Sequence, residues 1–196
     1  MFLLNTKASH SRSPRERSEA RKELSDLKTK KTYSMRPNDF SKTGTWYHQA
    51  ILELTELESF SHHEFEIAER LRLPLQTVRR ALGDLQEAGL LEIQNGRMHA
   101  NFPETESTQD IPSMAIRKYH EQMLQKGVQA LHEQHVQQRE YGSATFAFDA
   151  SRIEQAKAAL RDFQKKFSDE FYTNSENKNS VYQYSFQFYR IDQERK

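Results

Sequence analysis

Gln76, Thr77, Arg79 and Arg80 stand close together in a stretch whose apolar residues, Val78, Ala81, Leu82 and Leu85, recur three and four apart. That spacing predicts a helix with the polar residues, and Asp84 after them, turned off its buried stripe. Their types suit the reading of base edges. Arg forks onto the two acceptors of guanine, Gln onto the donor and acceptor of adenine, and Thr serves either bases or phosphates. Arg97 follows an Asn95-Gly96 turn signal and is placed to touch a nucleic-acid backbone or minor groove.

Other chemistry is thinly represented. The chain has no cysteine, which excludes disulfides, thiolate metal sites and cysteine nucleophiles. Its glycines form no phosphate-cradling loop, and neither a His-Glu-x-x-His nor a Gly-x-Ser-x-Gly arrangement occurs, so no acid, base and nucleophile set points to an enzyme. His132 and His135 lie three apart with Glu133 and His120 nearby, but without a third ligand in register they read as a polar helix face, and no cofactor is implied. His62-His63 reads as a capping-region pair, and Trp46 and Tyr47 as core aromatics.

The elements that must position the reading residues follow from local signals. Trp46 to Leu54 has apolar positions three and four apart and predicts an amphipathic helix. Ser61-His62-His63-Glu64 reads as a capping box opening a second helix that carries Phe65, Ala68 and Leu71 on one face. Arg72-Leu73 makes a turn, Pro74 opens the third helix, and Gly89 sits where a C-terminal cap belongs. Leu90 to Ile93 reads as a strand, and Arg97 to Phe102 returns after Asn95-Gly96 as its hairpin partner. Helix, turn, helix, strand, turn and strand in this order is the ground plan of a winged helix-turn-helix.

Outside this block, residues 1–45 are polar. Ser13-Pro14-Arg15-Glu16 reads as a helix start, and between Ser11 and Lys31 basic residues exceed acidic ones by four, a solvated run or a phosphate-touching arm. Residues 103–112 hold two prolines and read as a linker. Ser113 caps a predicted helix running to about Glu140, with Ile116, Tyr119, Met123, Gly127, Ala130 and Leu131 broadly on one side. Thr145 to Phe148 reads as a strand, and Ser151-Arg152-Ile153-Glu154 as another capping box. The helix it opens carries Ile153, Ala156, Leu160, Phe163, Phe167 and Phe171. Val181 to Ile191 alternates aromatic and polar residues as a strand does.

Ile67-Ala68-Glu69-Arg70-Leu71, Thr77-Val78-Arg79-Arg80-Ala81-Leu82 and Leu85-Gln86-Glu87-Ala88-Gly89-Leu90-Leu91 resemble, as an ordered set, the DNA-binding heads of GntR- and MarR-type regulators. Residues 33–191 resemble more broadly an uncharacterised bacterial family of presumed transcriptional regulators with a domain of unknown function. Trp46-Tyr47-His48-Gln49-Ala50-Ile51-Leu52-Glu53-Leu54, Ala115-Ile116-Arg117-Lys118-Tyr119-His120-Glu121-Gln122 and Val181-Tyr182-Gln183 carry that likeness. Its members have additional helical sequence ahead of the tryptophan, where this chain has residues 1–45.

The expected architecture is α+β: a polar N-terminal segment (1–45), a winged helix-turn-helix (46–102), a linker (103–112), and a long helix with a small β-α-β domain (113–191). The open strand edges of that last domain and a glycine in mid-helix at Gly127 suggest pairing with a second copy, with sensing of an unidentified effector as its competing role. The expected function is sequence-specific binding of double-stranded DNA by a homodimeric transcriptional regulator through Gln76, Thr77, Arg79, Arg80 and Arg97; a winged-helix adaptor that binds protein instead is the alternative. Charge tempers the DNA reading. The whole chain carries +1, and His62 to Ala100 holds five arginines against six acids. No apolar run approaches a membrane span, so a cytoplasmic protein is expected.

Overall fold

Ile51, Leu52 and Leu54 lie on one side of the helix α1 (Trp46–Leu54), and all three are buried. They meet Ile67 of α2 (Glu64–Leu71) and Val78, Ala81, Leu82 and Leu85 of α3 (Leu75–Glu87), which with Leu57, Phe60, Leu90, Leu91 and Met98 make the core. Each helix spends its apolar stripe on this one cluster, which is what three-four periodicity demands. The computed structural model describes residues 33–34, 42–101, 105–106, 114–173 and 177–193. The expected helix at Ser13, the basic run before Lys31, and Ser113 lie outside them.

Short-range punctuation sets the boundaries. Pro74 precedes α3 with φ −58°, and its carbonyl accepts from Thr77 N–H (2.9 Å) and Val78 N–H (3.2 Å). α3 ends where Gly89 takes φ +70°: Leu90 N–H returns to the Leu85 carbonyl (2.9 Å) and Gly89 N–H to that of Gln86 (3.0 Å), a Schellman-type closure. β2 (Leu91–Gln94) and β3 (Arg97–Ala100) then pair antiparallel, closed by Asn95 (φ 52°) and Gly96 (φ 76°) as a type I′ turn requires. A further short pair, β1 (Tyr33–Ser34) with β4 (Thr105–Glu106), is parallel.

The described residues fall into two units. One holds 42–101, 114–140 and 179–193; the other holds 33–34, 105–106, 141–173 and 177–178. In the first, α4 (Met114–Glu133) buries Met123 and half-buries Ile116 and Tyr119 beside α1. In the second, α5 (Ile153–Ser168) is followed by a π turn, Asp169–Thr173. Phe163, Phe167 and Phe171 form one row along it, with ring centroids 5.9 Å and 4.8 Å apart.

Several expectations require correction. The helix expected to reach Glu140 ends at Glu133, and a 3-10 turn at Val136–Gln138 follows. Neither Thr145–Phe148 nor Val181–Ile191 is a strand: among the described residues the paired strands are β1 with β4 and β2 with β3. The expected β-α-β domain therefore reduces to α5 with its flanking segments. Alternation specifies a face, whereas a strand exists only through a partner ladder. Among the described residues nothing lies within 4 Å of where a Cβ at Gly127 would stand, so the close approach that mid-helix glycine suggested is not supplied by these residues of the chain itself.

Both capping boxes are also rebuilt. The Glu66 carboxylate accepts from Ser61 N–H (2.7 Å) and from the Ser61 hydroxyl, while His63, with no side-chain bond, stands at the N-cap of α2. Ahead of α5, Asp149 Oδ1 accepts from Ser151 N–H (3.0 Å) and Ser151 Oγ (2.7 Å), capping a 3-10 turn (Ala150–Arg152) that feeds the helix. In each case serine donates to a carboxylate instead of accepting from the helix.

Candidate nucleic-acid interface

The face of α3 opposite its buried stripe presents Gln76, Arg79 and Arg80 exposed, with Thr77 half-buried beside them. The stripe fixes that orientation, because Val78 and Leu85 are wholly inaccessible and cannot rotate outward. Asp84 turns partly inward instead of fully outward: its Oδ2 lies 3.6 Å from Nε2 of the buried His48. Arg97 is exposed at the tip of the hairpin, paired in register with Gln94.

Arg79 is already engaged. Its Nε donates to Glu64 Oε1 (3.0 Å) and Oε2 (3.1 Å), and its Nη2 to Oε1 (2.6 Å). These hydrogen bonds hold the Glu64 carboxyl below the usual range and raise the guanidinium further. The donors with which an arginine forks onto guanine are thus partly committed to α2, whereas Arg80 and Gln76 project from the same face. The sequence showed the acids of α2 without revealing that one of them reaches the α3 face. Glu64 and Arg79 are fifteen positions apart, and only the helix crossing brings them together.

Two further polar groups make contacts that the sequence reading did not assign. His48 is buried in the core between α1 and α3, neither imidazole nitrogen has a hydrogen-bond partner among the described residues, and burial holds its pKa below the ordinary 6.5 against the opposing pull of Asp84. His62 has φ 59°, and its Nδ1 accepts from Met98 N–H at 3.2 Å. Trp46, expected in the core, is half-buried. Lys126 Nζ lies 3.9 Å from its ring centroid, and the Trp46 backbone N–H donates to Gln122 Oε1 (3.2 Å). That cation–π contact fastens α4 to α1.

His135 stands at the N-cap of the 3-10 turn, its Nδ1 accepting from Gln137 N–H (3.4 Å), and among the described residues no group of three or more His, Asp or Glu is placed to hold an ion. Among those residues, no helix is long and apolar enough to cross a membrane.

Residues 46–101 thus hold three helices on one core, with an exposed polar face on α3 and an antiparallel hairpin after it. The chain belongs to the family of the domain of unknown function DUF4423, whose model matches residues 20–191. No curated protein and no solved structure gives a significant match.

Proposed function

We propose that residues 46–102 are a winged helix-turn-helix and that the chain binds double-stranded DNA as a sequence-specific transcriptional regulator. The carrying observation is that Gln76 and Arg80 are exposed on α3 and that Arg97 is exposed at the tip of the β2–β3 hairpin that follows it. A helix of this width fits a B-DNA major groove, and a hairpin beside it reaches the flanking backbone. Thr77 contributes from the first turn of α3. Arg79 contacts DNA after exchanging Glu64 for a phosphate or base.

The partner is expected to be a second copy. Leu124, Val128 and Leu131 recur four and three apart along α4, and all are exposed, at 48%, 59% and 41%. That is the spacing of a helix-pairing seam, and two-fold pairing would present two heads to two half-sites. Sedimentation of the full chain at micromolar concentration reads this directly. A dimer that Val128→Glu dissociates supports it, and a monomer at all concentrations overturns it.

The deciding experiment for DNA is selection of genomic fragments by the purified chain, followed by titration of a preferred fragment at several salt concentrations. Arg80→Ala should lower affinity about 5- to 150-fold while leaving the melting temperature unchanged, because the side chain makes no core contact. Glu64→Gln should tighten binding by freeing Arg79 and removing an acid from the interface. Unchanged affinity in both variants, or failure to enrich any fragment, would favour a protein-binding adaptor.

A further inference from the structure

The hairpin is attached to the platform on one side by a histidine in an unusual backbone state. His62 occupies the left-handed region at φ 59°, which costs a non-glycine residue roughly 1 kcal/mol, with Asn, Asp and His the better tolerated types. The conformation turns its imidazole toward β3, where Nδ1 accepts from Met98 N–H at 3.2 Å, across 36 positions of sequence. Phe60, buried in the core, stacks edge-on against the same ring at 5.0 Å and fixes its plane.

Met98 is the position where such an acceptor is needed. The hairpin closes at Gln94↔Arg97, so the next pair, Ile93↔Met98, is of the non-hydrogen-bonded kind, and its N–H groups point away from the partner strand. Met98 itself is buried, at 5% exposure, and its amide has little access to water. An unsatisfied amide there would be costly, and His62 is what satisfies it.

Nδ1 can accept only while it carries no proton; protonated imidazole is a donor at both nitrogens and would face the amide donor to donor. We propose that His62 is a protonation-sensitive latch for the hairpin: neutral, it holds β3 through Met98, and on protonation it releases it. The groups facing the ring set the direction. Burial chiefly disfavours the charged form, and Arg97 and His99 of β3 act the same way, with the His99 ring centroid 6.3 Å distant; the Met98 backbone and Glu66 of α2 oppose them without reversing the direction. The folded state thus prefers neutral His62. The latch is fully closed above the ordinary histidine value of 6.5 and opens as pH falls below it through the lowered folded value.

The test uses the full chain alone, without DNA, so that its outcome is separate from that of the DNA-binding reading. His62 ring signals and Met98 amide protection, corrected for intrinsic exchange, are followed by NMR from pH 7.5 to pH 5. Met98 protection should fall about tenfold as the ring titrates, the scale of one hydrogen bond. His62→Asn tolerates the left-handed backbone and offers an oxygen acceptor that does not titrate, so its Met98 protection should stay flat over the same range. A wild-type ring that titrates without loss of Met98 protection would overturn the latch, as would an equal loss in His62→Asn or a ring that never titrates in this range.

Discussion

Replacing Asn95 and Gly96 by valine tests whether the hairpin is a separable part of the platform. Both positions hold positive φ, at 52° and 76°, where a β-branched L-residue is strained by about 1–2 kcal/mol. Keeping the native turn would therefore cost roughly 2–4 kcal/mol over the two sites. Opening the turn forfeits only the outermost cross-strand pair, Gln94↔Arg97, worth about 0.2–1 kcal/mol and exposed on both sides. Fraying is cheaper and should win. It should stop there, because the next pair contains Met98, whose exposure would lose about 1.5–3 kcal/mol. The base is pinned as well: Asn101 N–H donates to the Leu90 carbonyl (3.0 Å) and Asn101 Nδ2 to that of Gly89 (2.9 Å). The double variant should thus lose about 1 kcal/mol or less in a urea melt. Amide protection at Arg97 should vanish while that at Asn101 persists, and DNA affinity should fall about tenfold through the displaced Arg97. A stability loss near 4 kcal/mol, or an Arg97 amide that stays protected, would refute the fraying argument.

Leu85→Ala removes a fully inaccessible side chain from the stripe that orients α3, and should cost about 2–5 kcal/mol in urea unfolding. Asp149→Ala removes the cap ahead of α5 and should lower local helix stability by about 1 kcal/mol, read as amide protection over Ile153–Ala156. Burial holds His48 below its ordinary value of 6.5, so the stability it contributes is complete above that pH and is lost as pH falls through the lowered value. The urea midpoint should decline below pH 6.5, and His48→Gln should flatten part of that decline.

The first half of the platform was legible because its signals are local. Pro74, Gly89 and Asn95-Gly96 each force a backbone state that neighbouring residues cannot override, and the stripe Val78, Ala81, Leu82, Leu85 is buried as its spacing requires. Serine caps were misread for a physical reason. Ser-x-x-Glu records only that a hydroxyl and a carboxylate can meet, and at Ser61 the left-handed turn of His62 moves the partner from Glu64 to Glu66. The end of α4 was misplaced because the stretch from His132 to Glu140 contains neither glycine nor proline to mark a stop. The aromatic alternation of Val181 to Ile191 specified a face without a partner, and no strand follows from a face alone.

The charge balance that argues against DNA binding takes a different form once Glu64 is placed. Five arginines against six acids between His62 and Ala100 leave a balance of −1, which supplies no net long-range attraction to phosphate. On the exposed face, however, the acids do not dilute the arginines equally. Glu66 is turned toward Ser61 and Arg70, Asp84 is partly withdrawn toward His48, and among the described residues Glu64 is the acid fixed to an arginine of the proposed reading face. Affinity must then come from a few direct contacts, not from a diffuse basic field. Each phosphate neutralised contributes about −0.9 to the slope of log affinity against log salt. With Arg79, Arg80 and Arg97 as the arginines of this surface, a single head should show a slope no steeper than about −3, and a dimer about −6. Glu64→Gln should steepen the slope if Arg79 goes to phosphate, and leave it unchanged if Arg79 goes to a base edge. A slope well beyond these limits would mean that other basic residues of the chain carry the contact, and that α3 is not the main source of affinity.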